Sequence, residues 1–231
     1  MKVRGYELEI GADLAGADLT DADLRSVDLS GSWLGGAVLS GSDLSDARLV
    51  GADLRHAICR ATVFADADLH HANLWNADLT DARLGGAVLS RAWLGNARLG
   101  GTDLRSADLG GAWLTAADLT GALLCATTLA GASLTRTCMR DTDLTGTFAG
   151  GADLRGAILN GATIRAANLS GAILRGPSLI DADLSLADLV GADLTGAQMD
   201  GVSLDGIRHD ETTTWPEGFQ PPSSGNLDDH D

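Results

Sequence analysis

Between Leu14 and Leu204 the chain repeats itself every five residues through 39 blocks, without one insertion or deletion. Leu holds 33 of the 39 block centres, and the remainder are Cys59, Phe64, Met139, Ala149, Ile164 and Met199. Ala stands two residues before the centre 28 times, and 20 of the 30 Gly stand two residues after one. A period of five fits neither regular element. On an α-helix five residues advance about 140° past a full turn, so the Leu residues would spiral over every side. On a continuous strand an odd step alternates faces. A shared Leu interior therefore requires the chain to turn a corner once per block. Gly, Asp, Asn or Ser two residues after the centre suits such a corner, since these residues tolerate tight turns and positive φ.

Rarer residues count the corners. Trp33, Trp93 and Trp113, each immediately before a centre, are 60 and 20 residues apart, and Asp21, Asp81, Asp141 and Asp181, each two after a centre, are 60, 60 and 40 apart. All are multiples of twenty, which predicts four blocks per coil and a square-sectioned solenoid stacked through backbone hydrogen bonds. The 39 blocks make about ten coils and, at about 4.8 Å per coil, a rod roughly 45–50 Å long. Each repeat meets only its neighbours, so both ends need caps. Residues 1–11 lie outside the pattern, and the alternation of Tyr6, Leu8 and Ile10 predicts a short capping strand over the first coil. Residues 12–204 form the repeat region. Residues 205–231 are expected to supply an apolar lid (Ile207, Trp215, Phe219) and, from about Ser223, a disordered acidic tail. Pro216, Pro221 and Pro222 argue against a helix there.

Two internal positions are irregular. At the Ala149 centre, either Phe148 lies outside over an underfilled interior, or the chain slips and Phe148 points inward. With Thr127, Thr137, Thr142 and Thr147 at the small-residue position nearby, this region is expected to have the weakest packing. Pro177 also fills a small-residue position, which is tolerable only if the missing N–H is not a ladder donor.

Composition narrows function. Sixteen basic and 32 acidic residues leave a net charge of −16, which argues against direct binding to nucleic acid or anionic membrane. Three cysteines at unrelated spacings suit neither a disulfide framework nor a zinc site. No apolar run is long enough to span a membrane, and the start, MKVRGYELEI, has no signal-peptide core, so a cytoplasmic location is expected. The sixteen Asp that precede centres read as solvated, solubilising residues spread over all four sides. His56, His70, His71, His209 and His230 have no paired metal spacing, Cys59 should be buried and inert, and Cys125 and Cys138 have no partner that would make a nucleophile. The Gly residues form no phosphate loop. No catalytic residue, cofactor site or metal site emerges, and an enzyme is not expected.

Two surface features stand out. Trp33, Trp93 and Trp113 project from one side, with Ile173 in the same column and Trp75 one column over, as an apolar strip of the kind that marks contacts. Asp23, Asp43, Asp103, Asp143 and Asp183 share another side, flanked at its corners by Asp21, Asp81, Asp141, Asp181, Asp46 and Asp66 and partly neutralised by Arg25, Arg83, Arg105 and Arg165.

The A-D-L-x-x consensus over residues 12–204 resembles the pentapeptide-repeat family. The resemblance implies an all-β fold, a right-handed quadrilateral β-helix, with handedness coming from the resemblance alone. The WPEGF ending is similar to that of other bacterial members. Some members, the Qnr-type and MfpA-type proteins among them, bind DNA gyrase or topoisomerase IV by imitating duplex DNA and protect against topoisomerase poisons. By that likeness the expected partner is a protein, a type II topoisomerase. The alternative is a general protein-interaction scaffold that uses the Trp side. Residues 12–204 carry 23 Asp and 13 Arg, a net of −10, against about 28 phosphate charges on B-DNA of similar length. Mimicry would then depend on where the Asp residues lie. The register contains no loop insertion of the Qnr type, and the Pro-rich ending does not resemble a helical dimer module, so a homodimer finds no support there.

Overall fold

The computed structural model describes residues 2–222. The chain coils as a repeat β-helix, and no helix occurs among the described residues. Each residue before a block centre forms a parallel bridge with the residue twenty positions later, in an unbroken series from Asp13↔Trp33 to Asp188↔Arg208. The Leu spacing therefore produces a common inner column, as the period of five requires.

The block centred on Leu104 shows where the backbone N–H groups go. Asp103 donates to the Ala82 carbonyl at 3.0 Å, Leu104 to Leu123 at 2.8 Å and Ser106 to Cys125 at 3.1 Å, so three of five bonds join successive coils. Ala107 donates to the Leu104 carbonyl at 3.0 Å and closes the corner. The fifth N–H, on Arg105, has no backbone partner and donates instead to Asp103 Oδ1 at 3.1 Å. A buried or half-buried N–H needs a partner, and the block supplies one for all five.

Corner residues two after the centre have positive φ from Gly16 to Gly206, as the third residue of a type II turn requires. Where the corner is not Gly it is Asp, Asn, Ser, His, Arg, Ala or Leu, never β-branched, in keeping with the steric cost of that region. Inside, Leu and the small residues are almost entirely shielded from solvent. Where Ser or Thr takes the small position, its hydroxyl binds a centre carbonyl: Thr62 to Leu39 at 2.7 Å, Thr102 to Leu79 at 3.0 Å, Thr127 to Leu104 at 2.7 Å. Most of these hydroxyls add rungs between coils, while those of Ser42 and Thr137 bond the Leu39 and Leu134 carbonyls of their own turns.

Phe148 is outside. Its bridges to Thr128 and Asn168 keep the register, and Ala149 occupies the interior. The consequence is an apolar cavity of about 20 Å³ lined by Met139, Leu144, Ala149 and neighbouring Leu residues. Pro177 sits where the N–H would close a corner, so only that intra-turn bond is lost. The inter-coil bonds around it persist, Ser178 to Ala157 and Gln198 to Pro177, both at 3.0 Å.

The ends differ from the coils. Strands β1 (Lys2–Val3) and β2 (Tyr6–Glu7) pair antiparallel about Arg4 and Gly5, both at positive φ, which is the geometry of a two-residue hairpin. Val3 and Tyr6 pack on the core and Leu8 is buried, but Ile10 is 68% exposed. The alternation expected of a single strand ends before Ile10, because Glu9 already behaves as a block centre. Its carbonyl accepts from Ala12 N, which places Ile10 at the outer position before the Gly11 corner.

At the other end the ladder continues past Leu204. Ile207 is buried, and the last bridge, Asp193↔Thr214, spans 21 residues rather than twenty. Thr213 is buried there and bonds the Leu189 carbonyl at 2.9 Å. Trp215 packs on the core, with Phe219 stacked on it at 5.4 Å and His209 edge-on at 5.3 Å. The tail expected to be disordered, from Ser223, lies outside the described residues.

Candidate interaction site

One wall of the rod is defined by the bridge series Asp13, Trp33, Asp53, Asn73, Trp93, Trp113, Ser133, Asp153, Ile173 and Asp193. Trp33, Trp93 and Trp113 therefore emerge from the same wall, but not as one strip. Trp93 and Trp113 are neighbours, with ring centroids 4.2 Å apart and planes tilted by 43°. Trp33 stands alone near the N-terminal end, separated from them by Asp53 and Asn73. The rings are 62% (Trp33), 43% (Trp93) and 50% (Trp113) exposed. Trp75 belongs to the paired group: its ring lies across Gly95, where a Cβ would collide with it, and Gly95 is two residues beyond Trp93. Trp75, Trp93 and Trp113 make a step of indoles on consecutive coils.

Beside this step lie groups that the spacing of the rare residues does not reveal. Thr115 Oγ1 contacts Ser133 Oγ at 3.3 Å and Thr135 Oγ1 at 3.1 Å, a hydroxyl ladder just beyond Trp113. Thr115 and Thr135, with Arg136 and Arg155, line a surface hollow of about 330 Å³. Arg91 runs its stem over Gly111 at the near corner of the wall, and Arg136 runs over Gly156 at the opposite corner. The signal was available, since these residues fall at wall and corner positions of the same twenty-residue period.

The aspartate wall follows the series Asp23, Asp43, Val63, Arg83, Asp103, Leu123, Asp143, Thr163, Asp183, Ser203, so only Asp23 and Asp43 are adjacent. Arg25 binds Asp23 at 2.7 Å and approaches Asp43 at 3.9 Å, Arg105 binds Asp103 at 2.7 Å, and Arg165 lies 3.9 Å from Asp183. The Arg25 guanidinium, helped by the Arg25 N–H, holds the Asp23 carboxyl down to about 2. The Arg105 guanidinium likewise lowers Asp103, and the hydroxyls of Ser45 and Ser185 lower Asp43 and Asp183. For Asp143 burial opposes ionisation, but bonds from Thr145 and the Cys125 thiol outweigh it. The corner carboxylates differ. Asp21, Asp81, Asp141 and Asp181 each lie over the Gly one coil later (Gly41, Gly101, Gly161, Gly201). Among the described residues none of these four, nor Asp46 or Asp66, has a basic group within 4.0 Å.

The sixteen Asp before centres are not merely solvated. Every one accepts a hydrogen bond from the backbone N–H two residues on, at 2.9–3.3 Å. Asn73 and Asn168 do the same at 3.1 and 2.9 Å. This is an Asx turn, and the D-L-x spacing signals it because the N–H after the centre is the one the ladder leaves over.

Cys59 is buried and its thiol is pushed up to about 12 by burial. Cys125 is raised by burial and by Asp143, the opposite of what a nucleophile needs. Cys138 Sγ lies 3.2 Å from Thr120 Oγ1. His70 bonds Ser90 Oγ at 2.8 Å and stands edge-on to His71 at 4.1 Å. Among the described residues, no group of His, Cys, Asp and Glu could hold a metal ion, and no helix is long and apolar enough to cross a membrane.

Compared with known proteins, the chain matches the family model for pentapeptide repeats in eight copies spanning residues 10–206. No curated protein matches. Among solved structures, HetL, a pentapeptide repeat protein involved in heterocyst differentiation regulation from the cyanobacterium Nostoc sp. strain PCC 7120, is 32% identical. That match covers 87% of this chain and 91% of HetL, with a TM-score of 0.57. QnrB1, a plasmid-mediated fluoroquinolone resistance protein, is 22% identical over 74% of this chain and 86% of its own, with a TM-score of 0.41. The protein alr5209, from the same Nostoc strain, is 33% identical over 42% of this chain and 77% of its own, with a TM-score of 0.27.

Proposed function

The chain belongs to the pentapeptide-repeat family, and from that premise we propose that it is a non-enzymatic binding protein that acts by holding a protein partner on its tryptophan wall. The observation that carries this reading is the Trp93–Trp113 pair with Trp75 beside it. Large indoles on neighbouring coils stay half exposed, although neither the ladder nor the core requires them. The protein is read as cytoplasmic and free of cofactors, with a right-handed coil of about ten turns. The test is capture from a lysate of the source cells by the full chain and by the Trp93→Ser/Trp113→Ser double variant. Partner capture should vanish while the melting temperature holds; unchanged capture would reject the tryptophan wall.

A second reading, mimicry of DNA toward gyrase or topoisomerase IV, is favoured by one observation, the uncompensated corner carboxylates Asp21, Asp81, Asp141 and Asp181. Against it, Asp23, Asp43, Asp103 and Asp183 on the adjoining wall each face an arginine. Supercoiling by gyrase distinguishes the two. Inhibition or protection that is lost when the corner Asp are replaced by Asn supports mimicry, and no effect at micromolar protein removes it.

A further inference from the structure

The tryptophan wall has a charge unlike that of the chain. On four consecutive coils, residues 71–76, 91–96, 111–116 and 131–136, it carries no Asp or Glu, but it carries Arg91 and Arg136. That is a window of net positive charge on a chain of −16. Among the described residues, neither arginine belongs to an ion pair, in contrast to Arg55 and Arg155 on the same wall, which bind Asp53 and Asp153 at 2.6 Å. Arg91 flanks the indole step at one corner and Arg136 flanks the hydroxyl ladder at the other.

Resting on the reading of this wall as the working surface, we infer that its occupant is a short, extended, acidic peptide segment of a partner protein. An apolar side chain lies on the Trp93–Trp113 step, and carboxylates meet Arg91 and Arg136. Three features select this chemistry. Free guanidiniums call for anions, and among the described residues of this wall Arg91 and Arg136 are the arginines left without an ion pair, Arg55, Arg155 and Arg175 being held by aspartates. The indole step calls for an apolar or aromatic side chain. The window is also short. It is bounded by Asp53 and Asp153, five coils apart, so about 24 Å of wall separates one carboxylate from the other. That length takes about seven extended residues. A longer polyanion such as a single-stranded nucleic acid would run from the arginines into the bounding Asp residues and the acidic walls beyond. The linked hydroxyls of Thr115, Ser133 and Thr135 offer donors and acceptors to a peptide backbone crossing them.

The test is selection from a random displayed-peptide library on the full chain, followed by titration of the selected peptides in synthetic form. The expected result is enrichment of peptides with an apolar or aromatic residue flanked by Asp or Glu. Arg91→Ser and Arg136→Ser should each raise Kd about fivefold, the upper range for an exposed ion pair, and added salt should weaken binding further. Trp93→Ser/Trp113→Ser should abolish binding with an unchanged melting curve. Enriched peptides that are neutral or basic, needing the Trp pair but indifferent to both arginines, would overturn the acidic occupant while leaving the tryptophan wall as the working surface. Absence of enrichment would also overturn it, and the lysate capture above then decides the wall independently. Tighter binding of oligothymidine than of any selected peptide, lost in the arginine variants, would replace the peptide with single-stranded nucleic acid.

Discussion

The tryptophan and aspartate walls are built on the same backbone, with the same bridges twenty residues apart and the same corners, yet their outward residues serve different ends. An Asp before a centre is absorbed by the fold. It takes up the N–H that the ladder leaves over and in several places also engages an arginine. A Trp in that position has no acceptor for that N–H and leaves a wide apolar face in water. The residue that most often precedes a centre is thus structural, and the rare one is left with its face in water. Counting acidic residues on such a rod measures turn chemistry as much as it measures resemblance to DNA.

The comparison can be broken most forcefully from the inside. Leu104→Asp, one residue from the outward Asp103, would put an unpaired carboxylate at a fully buried position, and unfolding by more than about 4 kcal/mol is expected in thermal melting. A smaller cost for Leu104→Asp than for Asp103→Ala would invert the assignment of inside and outside.

Next in size, Gly41→Ala combines positive φ with a Cβ that would collide with the Asp21 carboxylate, for a loss of about 1–2 kcal/mol. Gly51→Ala has open space around it and should show the backbone strain alone. The excess at Gly41 should disappear in an Asp21→Gly background. If it persists, the corner carboxylates do not rest on the glycines.

Third comes Asp103→Ala, expected to cost about 1 kcal/mol through the uncapped Arg105 N–H, with Asp103→Asn costing less because an amide oxygen can take the same bond, as Asn73 and Asn168 do. The pH dependence follows from the same caps. The folded state holds these carboxyls below their unfolded values, Asp23 down to about 2 and Asp53, Asp103 and Asp153 also lowered by their arginines. Their contribution is therefore complete above about pH 4 and is lost as pH falls through the folded values. Melting temperature should drop between about pH 4 and pH 2. A rise over that window would show that relief of repulsion among the acidic walls outweighs the caps.

The smallest effect belongs to the other wall. Trp93→Ser with Trp113→Ser removes one indole contact, and the melting curve should move by less than about 1 kcal/mol. A larger loss would mean that the step holds the coils together and is not reserved for a partner.

Much of this architecture can be read without coordinates. The unbroken Leu spacing demands a corner in every block, and the spacings of Trp33, Trp93 and Trp113 count four corners to the coil because residues on one wall must recur at that interval. Pro177 is tolerated for the reason its position suggests, since the missing N–H closes a turn and joins no coils. Other features stayed hidden because pattern alone does not carry them. An outward Asp looks solvated whether or not it caps a turn. Phe148 could have pointed either way, and it is the inter-coil bonds on both sides that keep it out. The hairpin at the front is made of two-residue strands, too short for alternation to reveal. The continuation through Ile207 and Thr213 is masked by a single additional residue, which throws the last block out of phase with the rest. The basic window is invisible in overall charge, because two arginines at opposite corners vanish in a total of −16.

That extra residue has a consequence for the rod among its own copies. A coil that ended in phase would present an open row of donors and acceptors matching the first coil of another molecule, an invitation to grow into filaments. The 21-residue spacing at Asp193↔Thr214, followed by Trp215 and Pro216, spoils that match at one end, and the antiparallel hairpin of Lys2–Glu7 spoils it at the other. Both ends would thus resist end-to-end growth, and restoring the phase by deleting one residue between Asp210 and Thr213 is the change expected to lower one of these barriers.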